Sequence, residues 1–201
     1  MEIKTSISVA LTTCNGEAYL VEQLESIMKQ TYSPYEVVIC DDASADRTIE
    51  IIESYVTKLP IRLYRNKVRV GVVNNFRQAI SKCTGGWVAC CDQDDVWLPD
   101  KLLLSAKAMA RIDGQYPAAV YTDLTLTNAS LEVIETSYWR MRNINPEKET
   151  FYSILFGNII TGCTLLINRA MVFEIEKMPD NAIMHDFWIA CIAYSWESTL
   201  T

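Results

Sequence analysis

Several features that identify other classes of protein are missing from this 201-residue sequence. It contains only seven glycines, and neither G-x-G-x-x-G nor G-x-x-x-x-G-K-[ST] occurs, so dinucleotide-binding and P-loop sites lose their main support. The formal net charge of −7 argues against a nucleic-acid partner, because phosphate backbones are met by basic faces. The apolar runs are shorter than the roughly 20 residues that span a bilayer. We therefore expect a soluble protein.

The cysteines and histidine do not form a recognisable metal or disulfide pattern. There are seven cysteines but no C-x-x-C, and His185 is the single histidine, so a Cys/His zinc site is excluded. The cysteines lie in or beside apolar runs or helical patterns, as free thiols in a reducing compartment do. We expect buried free thiols and a cytoplasmic protein, and leave peripheral contact with the inner face of the membrane open.

The order of apolar segments predicts an α/β fold. Nearly unbroken apolar strands alternate with helical patterns as β-α-β-α-β-α-β-α through the first half of the chain. Such strands are typical of a mostly parallel central sheet covered by helices on both faces. Later, "AAVYTDL" and "EVIETSYW" alternate as antiparallel or edge strands do, which predicts a mixed second half. We expect one domain over residues 1–201.

Polar residues follow three of the predicted strands at the edge where open parallel sheets bind ligands. Thr12, Asn15 and Glu17 follow the first strand, Asp41 and Asp42 the second, and Asp92, Asp94 and Asp95 the fourth.

These aspartates can be interpreted in two ways. A single aspartate after a strand is commonly a helix cap or turn former, which is the simpler interpretation of Asp42 or Asp46. Capping does not need the three carboxylates at 92, 94 and 95. Asp92 and Asp94 could both bind Mg²⁺ or Mn²⁺. The ion would also offset repulsion between carboxylates and a nucleoside diphosphate, about 4 kcal/mol per close pair at an effective dielectric near 20.

In these motifs the chain resembles the family 2 glycosyltransferases, which have the GT-A fold, and most closely their bacterial rhamnosyltransferase-like branch. The resemblance implies metal-dependent, inverting transfer of a sugar from a UDP- or dTDP-sugar to a hydroxyl of a glycan or lipid-linked acceptor. Bacterial surface polysaccharide synthesis is the expected pathway. The matching segments occur in the family's order over residues 5–191: "ISVALTTCNGEAYLVEQLESIMKQTY", "EVVICDDASADRT", "RVGVVNNFRQAI", "CDQDDVWLPDKL", "YTDLTLTN", "NIITGCTLLINR" and "HDFWIA".

The resemblance also implies a role for each matching residue. Residues 1–100 would form the nucleotide-sugar-binding half and residues 101–201 the acceptor-side half. Asp92 and Asp94 would bind Mn²⁺ or Mg²⁺, and Asp186 would be the general base that deprotonates the acceptor. The remaining assignments are Thr12, Asn15, Glu17, Asp41, Asp42, Asn75, Asp92 and Gln93 for the nucleotide sugar, and Asp95, Trp97, Thr161, Gly162 and His185 for the sugar and acceptor side.

Alternatives remain open at this level. Asp186 could be an N-cap, Trp97 a core residue, and "NIITGC" a buried strand. The chain ends earlier than its family pattern, so we expect a C-terminal truncation that leaves a helix face free to pair with another chain, and a homodimer is left open. A non-catalytic nucleotide-sugar-binding module and a nucleotidyltransferase are the competing functions.

Overall fold

The computed structural model describes residues 4–200. The strands are Ile7–Thr13 (β1), Glu36–Asp41 (β2), Ile61–Arg65 (β3), Trp87–Cys91 (β4), Ala119–Val120 (β5), Leu126–Thr127 (β6), Val133–Glu135 (β7), Leu166–Asn168 (β8) and Thr199–Leu200 (β9). The helices are Leu20–Met28 (α1), Thr48–Tyr55 (α2), Val72–Lys82 (α3), Lys101–Met109 (α4), Tyr138–Met141 (α5), Phe151–Phe156 (α6), Arg169–Glu176 (α7) and His185–Ser195 (α8).

The main sheet has the strand order β3-β2-β1-β4-β8-β5-β9. Strands β3, β2, β1 and β4 are parallel, and β8 is antiparallel to both β4 and β5. Strands β6 and β7 form a separate antiparallel pair. This mostly parallel sheet with an antiparallel insertion confirms the predicted fold class.

The central strands are buried on both faces because their side chains alternate between two cores. Val9 and Leu11 of β1 point into a cluster formed with α1, α2 and α4. Ala10, between them, points into the opposite cluster, which is built from α3, α7 and α8. Double burial explains why these strands read as unbroken apolar runs.

One predicted strand is divided in the structure. The segment "EVIETSYW" forms β7 only as far as Glu135, and α5 begins at Tyr138. The Ser137 side chain accepts a hydrogen bond from the Arg140 backbone N–H and so caps α5. Trp139 consequently lies on a helix, where it packs edge-on against Tyr121 at a centroid distance of 5.9 Å.

The prediction of buried free thiols is confirmed for five of the seven cysteines. All seven are free thiols; Cys14 and Cys191 are half-buried and the other five are buried. Within residues 4–200, none of the helices combines the length and apolarity that a membrane-spanning segment needs.

Candidate active site

The carboxyl ends of β1, β2 and β4 surround a cavity of about 420 Å³. It lies where the strand order reverses between β1 and β4, which is where open α/β sheets bind ligands. A larger cavity, of about 640 Å³, lies near the start of β4 and the end of α4, away from that edge. The smaller cavity is lined by Thr12, Thr13, Cys14, Asp42, Arg69, Gly71, Val72, Asn75, Asp92, Gln93 and Asp94.

Asp42 holds the loop that forms one wall of the cavity. Its Oδ1 accepts from the Val70 backbone N–H at 2.7 Å and its Oδ2 from the Gly71 N–H at 2.9 Å. Gly71 has φ +84°, a conformation that favours glycine, and α3 begins directly after it. Asp42 therefore fixes the segment that presents Arg69.

Asn75 extends this arrangement from the first turns of α3. Its Nδ2 donates to the Cys40 carbonyl at 2.8 Å. Its Oδ1 accepts from Asn66 Nδ2, which also donates to Asp42 Oδ1, both at 3.1 Å. The Asn75 amide thus ties α3 to the end of β2.

Asp41, Asn15 and Glu17 shape the site without lining the cavity. The carboxylate of Asp41 accepts from the Thr13 hydroxyl and the Ser44 backbone N–H, each at 2.9 Å, which closes the turn after β2. Asn15 Oδ1 accepts from the Ala45 N–H and Glu17 Oε2 from the Arg47 N–H, both at 2.9 Å. In the structure these three side chains fasten two loops to each other.

Gln93 joins the loops after β1 and β4. Its Oε1 accepts from the Cys14 N–H at 2.8 Å and its Nε2 donates to the Cys14 carbonyl at 3.2 Å. This pairing leaves no room beside Gly16, where a Cβ atom would lie 2.3 Å from Gln93 Oε1. The sequence motif "CNG" therefore requires its glycine for close approach.

The turn after β4, called the acidic turn below, carries the carboxyl groups of Asp92, Asp94 and Asp95, and little positive charge opposes them. Burial raises the pKa of Asp92 to about 7, and the charges of Asp95, Asp94 and Asp186 add to the effect. Burial also raises the pKa of Asp95, although a hydrogen bond with Cys163 and the charge of Lys101 oppose this. Asp94 is exposed. Lys101 thus offsets the negative charge of the turn at Asp95, but among the described residues no cation offsets it at Asp92.

The donor atoms at this turn fit a divalent cation. A carboxylate oxygen of Asp92, one of Asp95 and the Sγ of Cys163 all lie within 4.8 Å of one another. Asp95 Oδ2 is buried and has no hydrogen-bond partner, a rare condition that a bound ion would relieve. The sequence pattern predicts that Asp92 and Asp94 bind the ion together. The structure groups Asp92 with Asp95 instead and leaves Asp94 on the cavity lining.

Helix α8 places Asp186 beside this cluster. Asp186 lies in the first turn of α8, and Met184 occupies the N-cap position, so the alternative of an Asp186 N-cap is wrong. Burial raises the pKa of Asp186, while the backbone N–H groups of Phe187 and Gly162 lower it. Its charge contributes to the raised pKa of Asp92, so the two carboxyl groups lie close enough to interact electrostatically.

His185, Gly162 and Thr161 lie outside the cavity lining. The His185 ring is 2% exposed, stacks on Phe76 at 3.9 Å, and has no hydrogen-bond partner at either nitrogen. Burial lowers its pKa to about 4, so it is neutral at pH 7. Gly162 lies against the imidazole, and the Thr161 carbonyl accepts from the Thr164 N–H at 2.9 Å, closing a 3₁₀ turn over Gly162–Thr164.

Trp97 belongs to the core. It is 5% exposed and packs in the cluster below α4. Lys101 Nζ lies 5.0 Å from the centre of its ring and donates to the Thr164 carbonyl at 3.3 Å. The buried amine thus connects the acidic turn with the 3₁₀ turn.

Three residues of the site were not singled out from the sequence. Arg69 lines the cavity. Its position two residues before Gly71 is the sequence feature that could have identified it. Lys101 is only four residues beyond Trp97, within the quoted motif. Cys163 carried no local signal, because only the tertiary structure brings it to Asp92 and Asp95.

The fold and its carboxylate-lined cavity define an α/β protein of the GT-A class, as the similarity to solved GT-A structures shows. The sequence pattern described as "Glycosyl transferase family 2" matches residues 8–173. The chain belongs to that family.

Three known proteins illustrate the relationship. The chain is 25% identical over 168 residues to WfgD of Escherichia coli, a UDP-Glc:alpha-D-GlcNAc-diphosphoundecaprenol beta-1,3-glucosyltransferase, covering 83% of this chain and 61% of that one. Its fold is similar to S. aureus TarS 1-349 in complex with UDP, with TM-score 0.73, 22% identity and coverage of 94% and 55%. It is also similar to the mannosyltransferase PcManGT from Pyrobaculum calidifontis in complex with GDP-Man and Mn²⁺, with TM-score 0.69, 22% identity and coverage of 98% and 54%. The chain therefore spans little more than half the length of these proteins.

Proposed function

We propose that this chain transfers a sugar from a nucleotide-diphosphate donor to an acceptor hydroxyl with inversion at the anomeric carbon. The observation that carries the proposal is the cavity at the reversal of strand order, with Asp92 on its wall and the half-buried Asp186 within electrostatic range of Asp92. A carboxylate-rich donor cavity beside a second carboxyl group of raised pKa is suited to acid–base chemistry on a bound sugar.

The nucleotide would occupy the cavity between β1, β2 and α3. Arg69 supplies a cation at this wall, which can donate charge-assisted hydrogen bonds to a diphosphate. Thr12 offers a hydroxyl group toward a base or ribose, and Asn75, whose amide is engaged with Cys40 and Asn66, shapes the wall beside it. The family membership and the similarity of fold to a protein solved with UDP support a UDP- or dTDP-sugar as the donor class. The resemblance to the rhamnosyltransferase-like branch makes dTDP worth testing beside UDP.

Mn²⁺ or Mg²⁺ would be held by Asp92 together with Asp95 or Asp94. When bound, such an ion neutralises the diphosphate leaving group as its bond to the sugar breaks. The similarity of fold to a mannosyltransferase solved with Mn²⁺ supports this choice.

Asp186 would act on the acceptor. Its carboxylate accepts the proton of the acceptor hydroxyl while that oxygen attacks the anomeric carbon on the face opposite the diphosphate. Attack from that face inverts the configuration of the sugar. Burial raises the pKa of Asp186, which makes its carboxylate a stronger proton acceptor than that of an exposed aspartate.

The acceptor is proposed to be a glycan or a lipid-linked sugar of a bacterial surface polysaccharide. The printed activity of WfgD, which uses a diphosphoundecaprenol-linked acceptor, supports this class. Such an acceptor would bring the protein to the cytoplasmic face of a membrane as a peripheral protein.

Calorimetric titration tests the donor site. UDP and dTDP are titrated with and without Mn²⁺ into the intact chain and into Asp92→Asn, Asp94→Asn and Asp113→Asn, the last being an exposed control far from the cavity. Binding that needs Mn²⁺, disappears in Asp92→Asn and persists in Asp113→Asn is the expected result. No binding of either nucleotide by the intact chain contradicts the proposal. Binding without any turnover of UDP- or dTDP-sugars would instead favour a non-catalytic nucleotide-sugar-binding module.

A further inference from the structure

The 3₁₀ turn over Gly162–Thr164 delivers a thiol to the acidic turn. The turn is closed by hydrogen bonds from the Thr164 N–H to the Thr161 carbonyl and from the Leu165 N–H to the Gly162 carbonyl. The Leu165 carbonyl then accepts from the Cys90 N–H at 3.0 Å, which fastens the turn to β4. Cys163, at the centre of the turn, is 6% exposed, so its position is set by packing.

The Cys163 sulfur and two carboxylate oxygens converge on one point. The Sγ and one oxygen each from Asp92 and Asp95 lie within 4.8 Å of one another. Donor atoms bound to one ion at about 2.0–2.3 Å lie roughly 3.5 Å apart. Small side-chain rotations would therefore bring all three into contact with the same cation.

The described part of the chain compensates this group only in part: the charge of Lys101 acts on Asp95, whereas every influence on the pKa of Asp92 raises it. The ion pairs of Arg47, Arg62, Arg77, Arg140 and Lys177 are all formed with carboxylates other than those of Asp92 and Asp95. Lys101, the nearby cation, donates to the Thr164 carbonyl. Asp95 Oδ2 remains buried without a partner. A buried carboxylate oxygen left in this state indicates that a ligand completes the group.

We propose that Cys163 is a third ligand at the metal site, beside Asp92 and Asp95. The ligand set then combines two carboxylates with one thiolate, and the site prefers borderline or soft divalent cations such as Zn²⁺ and Cd²⁺. Two carboxylates alone favour hard ions such as Mg²⁺ and Mn²⁺, whereas a thiolate favours softer ones. On binding, the Cys163 S–H bond breaks, a metal–sulfur bond forms, and the proton leaves to the buffer. This inference deepens the proposed function by identifying a residue that determines which metal the site accepts.

Cd²⁺ is the probe of choice, because a Cd²⁺–thiolate bond produces an ultraviolet charge-transfer absorbance that carboxylates do not. The intact chain is titrated with Cd²⁺ in the absence of nucleotide, beside Cys163→Ser and Asp95→Asn. Cys14→Ser is the matched control, because Cys14 is another thiol close to the cavity. We expect the absorbance in the intact chain and in Cys14→Ser, and its loss in Cys163→Ser. Affinity for Cd²⁺ should fall in Asp95→Asn by at least the roughly tenfold that even an outer-shell change causes.

An absorbance that persists in Cys163→Ser, or that is lost in Cys14→Ser, would overturn the assignment. Circular dichroism of each variant separates loss of a ligand from loss of the fold. Mn²⁺-dependent UDP binding is measured in parallel on the intact chain and on Cys163→Ser. If UDP does not bind but the Cys163-dependent absorbance is present, the proposed function fails while the thiolate site stands. If UDP binds and the absorbance is absent, the reverse holds.

Discussion

Replacing Asp92 with asparagine should make the metal-free protein more stable at alkaline pH. Burial and the charges of Asp95, Asp94 and Asp186 raise the pKa of Asp92 from 3.8 to about 7. A carboxyl group whose pKa is higher in the folded than in the unfolded state contributes stability below about pH 4. That contribution is lost as the pH rises through about 7, where the buried group must ionise.

The size of the effect follows from the two pKa values. At 1.36 kcal/mol per pKa unit, the difference between 3.8 and about 7 corresponds to at most roughly 4 kcal/mol of unfolding free energy. Asparagine removes the charge while keeping the shape. We therefore expect Asp92→Asn to gain up to about 4 kcal/mol near pH 8, and less than half of that near pH 5.

Urea unfolding in the presence of a chelator, followed by circular dichroism at the two pH values, measures this gain. Asp113→Asn serves as control, because Asp113 is exposed and surface substitutions usually stay within about 0.5 kcal/mol. The reasoning is refuted if Asp92→Asn is no more stable than the natural protein near pH 8, or if its gain is the same near pH 5. The same variant should lose Mn²⁺-dependent UDP binding, so stability and function would change in opposite directions.

Three further substitutions test other parts of the molecule. Glu36 is buried, yet hydrogen bonds from the Thr84 N–H, Arg62 and Ser8 lower its pKa to about 2. Glu36→Gln should therefore lower the free energy of unfolding in urea by up to roughly 3 kcal/mol at neutral pH. This loss should shrink as the pH falls from about 4.5 toward 2. Gly16→Ala places a methyl group on Gln93 and should weaken UDP binding in calorimetry, whereas Gly114→Ala, which meets no atom within 4 Å, should not. Arg69→Met should lower UDP affinity by about tenfold or more, the value of a hydrogen bond to a charged group, and an equal loss in high salt would argue against a direct phosphate contact.

Much of the fold and part of the site could be predicted from the sequence because both follow local rules. Unbroken apolar runs identified β1, β2 and β4, and the rule that ligands bind at strand ends placed Asp42 and Asp92 at the cavity. Glu36 shows the complementary case: it lies at the start of β2, where neighbouring groups satisfy it and lower its pKa.

The remaining details depend on turn geometry and on contacts distant in sequence. After β4 the chain turns, which brings Asp95 beside Asp92, a grouping that the alternation of Asp92 and Asp94 along an extended strand does not predict. Cys163 is far in sequence from Asp92 and Asp95, and it comes close to them because β8 runs antiparallel to β4. No local sequence pattern predicts whether β8 pairs with β4 in the parallel or the antiparallel direction.

The antiparallel placement of β8 also determines where the long segment between β5 and β8 begins and ends. Because β5 and β8 are antiparallel neighbours, the chain leaves the sheet at the end of β5 and returns at the start of β8 on the same edge, beside the candidate active site. Residues 121–165 thus form one connecting segment with both ends at that edge of the sheet. A hydrogen bond of 2.6 Å between the Tyr121 and Tyr194 hydroxyls ties the start of this segment to α8. A segment connected in this way can be lengthened or shortened while every pairing of the main sheet is retained. Under the proposed function, that freedom would let one donor-binding frame serve different acceptors.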